Sequence, residues 1–405
     1  MAKINFIKYF DLGILFLLFL SLTVLPLIQL GAYFYVGIEE LLMPIILFRI
    51  IQSKLYFFDK YIWLMLIFGA YILFTIAING RLWSLRDYFE IYKVGKYILV
   101  VIFTRHVFIN NFGSFDKLVK YSFIVLLILN IAHYFNILNF NQIIEPFYAT
   151  SDIQLSTFGL DSLGNPAVRR MLGTMGNPNE NAILFLFYFA YFLSRTGDYI
   201  EIRKRVFIYL AFLCILLTQS RTGFISGVSV YVFWSIFTKQ KLKTILYDLL
   251  FFALSFGVAF SFNTLALSYF ANTSTNLAEN NSVLGRLEVW KKLYKMIEQK
   301  PFFGYGPNKD FFYENNLYAE SEFVLLTWRY GIVGLFFYLG WLLLPLYKTL
   351  SHSKLHSFYI LLLGIILINA ITNCPLSNPK ILLLYAICIG YYYAKIDETK
   401  QLNNV

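Results

Sequence analysis

The chain is a succession of long apolar runs separated by short polar joints. The runs fall at 12–30, 33–51, 61–78, 88–104, 119–138, 181–194, 206–219, 222–238, 245–268, 321–347, 357–372 and 381–394. Strands of a membrane barrel would alternate apolar and polar residues over roughly ten positions. These runs are continuous, so the pattern predicts helices that satisfy their own backbone groups in lipid. The expected fold is all-α, a polytopic membrane protein of about 12 transmembrane helices forming one domain over 1–405. The run at 181–194 is short for a span, and the one at 321–347 is long enough for its first turns to project. The runs 206–219 and 222–238 nearly touch across Ser220-Arg221, which demands a tight hairpin or a kink.

Two joints are long, at about 139–180 and 269–320. The second opens with an Asn-rich stretch, Asn272 to Asn281, expected to be irregular. Asn281 or Ser282 then caps a helix running to about Gln299, and Pro301 stops it. On that helix Val283, Leu287, Trp290, Leu293, Tyr294 and Ile297 share one face. Arg286 projects from the same face. A guanidinium there needs either a structural salt bridge or a bound anion such as phosphate. Pro301-Phe302-Phe303-Gly304-Tyr305-Gly306-Pro307 follows, predicting a tight turn with exposed backbone. It lacks the Gly-Lys-Ser/Thr ending of a P-loop.

Glu320 and Glu322 stand at the mouth of the tenth run. At i and i+2 they do not share a helix face, so only one of them is expected to point into a cavity. They are either solvated interface acids or hold a general base at the membrane surface. The first long joint ends in Arg169 and Arg170, with Gly173-Thr174-Met175-Gly176-Asn177-Pro178-Asn179 beyond. Asn177 or Asn179 is placed to cap the sixth run, and a helix start near arginines attracts anions. Arg221 sits between two runs, either snorkelling to headgroups or contributing to an anion site.

Composition sharpens this picture. The 405 residues are 59% hydrophobic and 14% charged, against about 25% charged in soluble domains. A net charge of +11 is explained by Lys and Arg flanking spans on the cytoplasmic side rather than by nucleic acid. Both termini are then cytoplasmic and both long joints lie outside. Cys214, Cys374 and Cys388 are too dispersed for a disulfide framework or a metal site. The first run lacks a small-residue cleavage site and reads as a retained span. His352 and His356 lie beside lysines in a solvated turn, and the outer loops contain no histidine.

Four pieces, in this order, carry a family resemblance: GTMGNPNENA at 173–182, LTQSRTGFISG at 217–227, GRLEVWKKLYKMIEQKPFFGYGPN at 285–308 and ESEFVLLTWRYGIVGLFFYLG at 320–340. With these the chain resembles the bacterial O-antigen polymerase and ligase superfamily. The resemblance implies a GT-C-like membrane glycosyltransferase without metal or other cofactor, in the bacterial cytoplasmic membrane. Its donor would be an oligosaccharide on undecaprenyl pyrophosphate. Arg221, Arg286, Arg169 and Arg170 would bind the pyrophosphate. Glu320 or Glu322 would be the catalytic base, and Asn177, Asn179 and Tyr305 would contact substrate.

Ligase-type members carry His-Asn where this chain has Glu320-Ser321. That departure favours a Wzy-type polymerase, whose acceptor is a second lipid-linked repeat unit. The alternatives are ligation to lipid A–core or protein, and a lipid-linked sugar flippase. Membrane lipids, a chain-length regulator and a flippase are the expected partners, with no nucleic acid.

Overall fold

The computed structural model describes residues 2–25, 28–31, 34–55, 59–143, 170–195, 202–261, 281–315, 317, 319–349 and 356–403. Helices α1 to α5 are Ala2–Thr23, Ile38–Gln52, Lys60–Ile78, Leu85–Asn110 and Gly113–Tyr134. Pro178–Ser194, Ile202–Leu217, Arg221–Phe237 and Leu242–Ser261 are α6 to α9. Asn281–Gln299, Lys309–Glu314, Glu322–Thr349, His356–Thr372 and Pro379–Asn403 are α10 to α14. A short antiparallel pair, β1 (Ile28–Gly31) and β2 (Phe34–Val36), lies where the first two runs were expected to meet. The first helix therefore ends at Thr23 rather than near residue 30.

Among the described residues three helices are long and apolar enough to cross a membrane: Lys60–Ile78, Leu242–Ser261 and Glu322–Tyr347. Gly113–Tyr134 with Ile137–Ile143 makes a fourth if that pair, bent by 106°, is a single span. The residues divide into two compact units. One comprises Met1–Leu42, Asn111–Thr275 and Ser357–Asn369, and the other Met43–Asn110, Asn276–His356 and Ala370–Val405.

In the first unit α6 is apolar all round and buried almost throughout, as expected of a helix at the centre of a bundle. Its neighbour α8 approaches through Gly223, where a Cβ would stand 2.7 Å from that of Ala182. Small residues at such positions let helix backbones pack closely where burial from water gives little drive. Phe123 of α5 packs on Phe185, Tyr188 and Phe192 of α6. Arg205 of α7 is buried against Asp248 of α9. That carboxylate also accepts from the hydroxyls of Tyr209 (2.7 Å) and Tyr231 (2.9 Å).

In the second unit α4 packs along α14, with Phe108 edge-on to Tyr391 and Tyr97 stacked near Tyr385. Arg105 forks onto Asp397 at 2.8 and 3.1 Å and reaches Asp59, which caps α3. The feature that positions the site is a break in α12. Gly331 has φ 64° and ψ −170°, which splits the helix into two arms. The freed backbone groups are met by the Pro-Gly turn. Ile332 N donates to Pro301 O (2.8 Å), Val333 N to Phe302 O (3.3 Å), and Tyr305 N to Trp328 O (3.1 Å). The Tyr71 hydroxyl donates to Tyr330 O at 2.7 Å. The expected exposed turn is thus a docked one, with Gly304 and Gly306 buried.

Any Cβ at Gly331 would strike the Phe302 carbonyl, and the positive φ is itself costly for a side chain. Gly331→Ala should lower stability by about 3 kcal/mol or more, read as thermal unfolding in detergent. Gly95→Ala on α4, where a Cβ meets open space, should leave it unchanged or slightly raised. Truncating one partner of the buried pair, Asp248→Ala, should cost about 3–5 kcal/mol in the same measurement.

Candidate functional site

The second unit assembles most of the expected site on the first arm of α12. This arm and α10 enclose a small core of Leu293, Phe312, Leu317, Ala319, Val324, Leu325 and Trp328. The predicted helix Asn281–Gln299 forms as expected, but its buried stripe is Val289, Trp290, Leu293, Met296 and Ile297. Leu287 and Tyr294 face outward instead. The Trp290 indole N–H anchors the helix to the Ala319 carbonyl.

Arg286 lies one turn earlier on this stripe, and its Nε donates to Glu320. Of the two readings open for Arg286, the structure shows the salt bridge. Glu320 has φ 43°, a left-handed backbone conformation two residues before α12 begins. Its side chain is 48% exposed and that of Arg286 28%. The pair is therefore accessible, and either group can exchange its partner for a ligand at modest cost.

Glu322 behaves differently, as the i, i+2 spacing predicts. It is 2% exposed and accepts three hydrogen bonds. Tyr338 Oη and Leu376 N donate to Oε2 at 3.1 and 3.0 Å, and Ser377 Oγ donates to Oε1 at 3.1 Å. Tyr338 lies 16 positions along the same helix and reaches Glu322 because α12 is broken between them. Glu322 thus ties both arms of α12 to the turn before α14. Glu322 is buried with both oxygens hydrogen-bonded, whereas Glu320 is 48% exposed and accessible to an incoming hydroxyl. Cys374 beside it has its thiol pushed well above the usual range, first by burial and then by the Glu322 charge. Cys374 should therefore label slowly with maleimide at pH 7.5 and quickly after unfolding, followed by mass spectrometry.

Tyr305 is held in place. Its hydroxyl donates to Met296 O at 3.0 Å and its ring stacks on Trp328 at 5.4 Å.

The first unit holds the other residues. Asn177, not Asn179, caps α6: its side chain accepts from Asn179 N (2.9 Å) and Glu180 N (3.4 Å). Arg170 Nε donates to Thr218 O at 3.0 Å, and an Nη lies 3.4 Å from both Asn179 Oδ1 and Gln219 O. Arg221 occupies the first position of α8, capped by Ser220 through a bond from Gly223 N. Gln219 takes a left-handed φ of 52°, which makes the tight hairpin. Arg170, Asn177, Asn179 and Arg221 therefore gather around one helix pair. Arg169 lies outside the described residues.

The sequence reading missed an ionic cluster in the second unit. Glu90 on α4 holds Lys93 Nζ and Lys309 Nζ, each at 2.8 Å, with Arg329 Nη1 at 3.7 Å. Glu90, Lys93 and Arg329 line a small cavity with Glu322, Tyr338, Ser377, Tyr97 and Trp341. The available signal was a carboxylate and an ammonium at i, i+3 inside an apolar helix, since charges in such helices mark functional sites by default.

Comparison with known proteins places these groups in context. The O-antigen ligase family matches residues 206–339, the stretch holding Arg221, Arg286, Tyr305, Glu320 and Glu322. The chain is also 23% identical over 369 residues to the ComP-specific O-oligosaccharyltransferase of Acinetobacter baylyi. That alignment covers 84% of this chain and 62% of the relative, so the chain spans under two thirds of the relative's length. Both are named for ligase-type glycan transfer, and neither for repeat-unit polymerisation.

Proposed function

We propose that the protein is a membrane glycosyltransferase of the O-antigen ligase type. It moves an oligosaccharide from a polyprenyl-pyrophosphate carrier to a hydroxyl of a protein or of lipid A–core. The observation that carries this is the accessible Arg286–Glu320 pair, which lies within the stretch matching the ligase family. The acceptor oxygen attacks the anomeric carbon and gives its proton to the Glu320 carboxylate. The carbon–oxygen bond to the pyrophosphate breaks, its electron pair leaves with the phosphate, and the anomeric centre inverts. Arg286 neutralises the charge that develops on the leaving group. Glu322 holds the arms of α12 so that Glu320 sits at their start.

In this reading about 12 helices span the bacterial cytoplasmic membrane, with both termini inside and the site on the outer face. A chain-length regulator and a flippase would act alongside it. Polymerisation is the second reading. It is favoured by one feature, Glu320-Ser321 standing where ligase-type members carry His-Asn.

Deletion separates the two in cells. Loss of a ligase leaves bare acceptor and accumulated lipid-linked glycan, whereas loss of a polymerase leaves acceptor bearing a single repeat unit. Complementation with Arg286→Ala or Glu320→Gln should restore less than ~1% of wild-type transfer, following the 10²–10⁴-fold weight of an acid–base or charge-stabilising group. Full transfer by both variants would remove this assignment.

A further inference from the structure

By sequence the Pro301–Pro307 turn belongs to a joint outside the membrane, yet its backbone is turned in and its rings are turned out. Pro301 O accepts from Ile332 N (2.8 Å), Phe302 O from Val333 N (3.3 Å) and Gly304 O from Asn79 Nδ2 (3.2 Å). The amides of Gly304 and Tyr305 donate to Lys300 O and Trp328 O at 3.2 and 3.1 Å. Meanwhile Phe302 is 63% exposed and Phe303 45%. A turn in water can leave its backbone to the solvent. Non-helical backbone at membrane depth needs internal partners for its polar groups instead.

The turn also lies beside a helix that is long and apolar enough to cross a membrane, not beyond its end. Phe303 packs edge-on to Phe74 of α3 at 5.6 Å. The Tyr71 hydroxyl lies 3.5 Å from Phe302 O, and a Cβ at Gly306 would stand 3.2 Å from Thr75 O. These contacts reach α3 before its last residue, Ile78. On the other side, Ile332 is joined to the turn through Pro301 O, and Phe336 follows it one helical turn later. Phe74 is 45% exposed, Ile332 45% and Phe336 71%. A lone exposed phenylalanine needs no explanation, whereas a contiguous apolar patch marks a contact surface. Its occupant is lipid, because the patch continues the exposed sides of α3 and α12, both long and apolar enough to cross a bilayer.

Polar groups mark the edge of this surface. Lys300 is exposed, and its Nζ donates to Asn79 Oδ1 at 2.7 Å, one residue past the end of α3. An ammonium there reaches headgroup phosphates while its stem stays in the interface. Trp83, 94% exposed in the joint between α3 and α4, stands at the same end, as in an interfacial aromatic belt.

We propose that Phe302 and Phe303 form a wedge inserted among the acyl chains of one membrane leaflet, holding the end of α10 at headgroup level. The leaflet is the outer one in the orientation given above. The meaning of the wedge rests on the glycan-transfer reading: a lipid-linked donor carries its phosphates at that same level, so the wedge fixes the height of α10 against its substrate. The lipid contact itself does not require transfer.

The test places a nitroxide spin label on Phe302→Cys and on Phe303→Cys of the full-length protein in phospholipid nanodiscs. The unsubstituted chain, whose Cys214 and Cys388 are buried, is labelled in parallel as the blank. Leu73→Cys, at an exposed position of α3, is the lipid reference, and Lys292→Cys, at an exposed position of α10, the aqueous one. Relaxation by apolar oxygen is compared with relaxation by a water-soluble nickel chelate. At 302 and 303 the oxygen-to-nickel ratio should match that of Leu73→Cys and exceed that of Lys292→Cys severalfold. Both rings project outward, so thermal unfolding of the two variants should stay at the wild-type value, and either position alone decides the outcome.

A ratio equal to that of Lys292→Cys at both positions would overturn the proposal by placing the turn in water. Immobile labels screened from oxygen and nickel alike would also overturn it, since the patch would then be covered by protein, such as a second copy of the chain. No transfer is measured, so failure here leaves the ligase reading standing, and a lipid signal would survive failure of that reading.

Discussion

The docking of the Pro301–Pro307 turn into the break of α12 is the contact on which the second unit depends. A helix broken at Gly331 exposes amides and carbonyls that lipid cannot satisfy. The carbonyls of Pro301 and Phe302 accept from the amides of Ile332 and Val333, and Tyr305 N closes onto Trp328 O. Two residues without side chains, Gly304 and Gly331, allow the two backbones to approach, both at positive φ. From this contact follow the return of the chain, the stacking of Tyr305 on Trp328, and the placement of Arg329 over Glu90. It also sets Tyr338 within reach of Glu322, which no unbroken helix would allow.

With the backbone fixed, the charges divide into two kinds. Arg286 and Glu320 are paired but open, so the cost of trading one partner for a substrate group is small. Glu90, Lys93, Lys309 and Glu322 are enclosed, where a lost partner leaves a charge uncompensated and the geometry is correspondingly stiff. The open pair suits chemistry that must bind and release. The enclosed set holds its geometry, and the Nε of Arg329 at its edge has no hydrogen-bond partner among the described residues.

Local features of the sequence carried much of this. The helix ending at Gln299 before Pro301, the Asn177 cap, the Ser220-Arg221 hairpin and the divergent fates of Glu320 and Glu322 follow from caps, breakers and periodicity. What was missed is tertiary. Gly331 in Arg329-Tyr330-Gly331-Ile332 is one glycine in an apolar run, and only the partner turn reveals it as a break. The stripe of α10 is shifted from the expected face because Ala319 and Trp328 lie where they do, which no wheel can supply. Lys93 reads as a charge within a span until Lys309, 216 positions later, meets it at Glu90. The choice between polymerase and ligase rested on two residues, Glu320 and Ser321. The matched family and the oligosaccharyltransferase relative favour the ligase side.

The most direct test of the account is a reconstituted reaction. The purified protein is supplied with a polyprenyl-pyrophosphate-linked oligosaccharide and hydroxyl acceptors, protein and lipid A–core, and the products are resolved by mass spectrometry. The account predicts one glycan block per acceptor hydroxyl, an inverted anomeric linkage and release of polyprenyl pyrophosphate, all lost in Glu320→Gln. A ladder of repeat units growing on the lipid carrier, with the acceptor untouched, would contradict it.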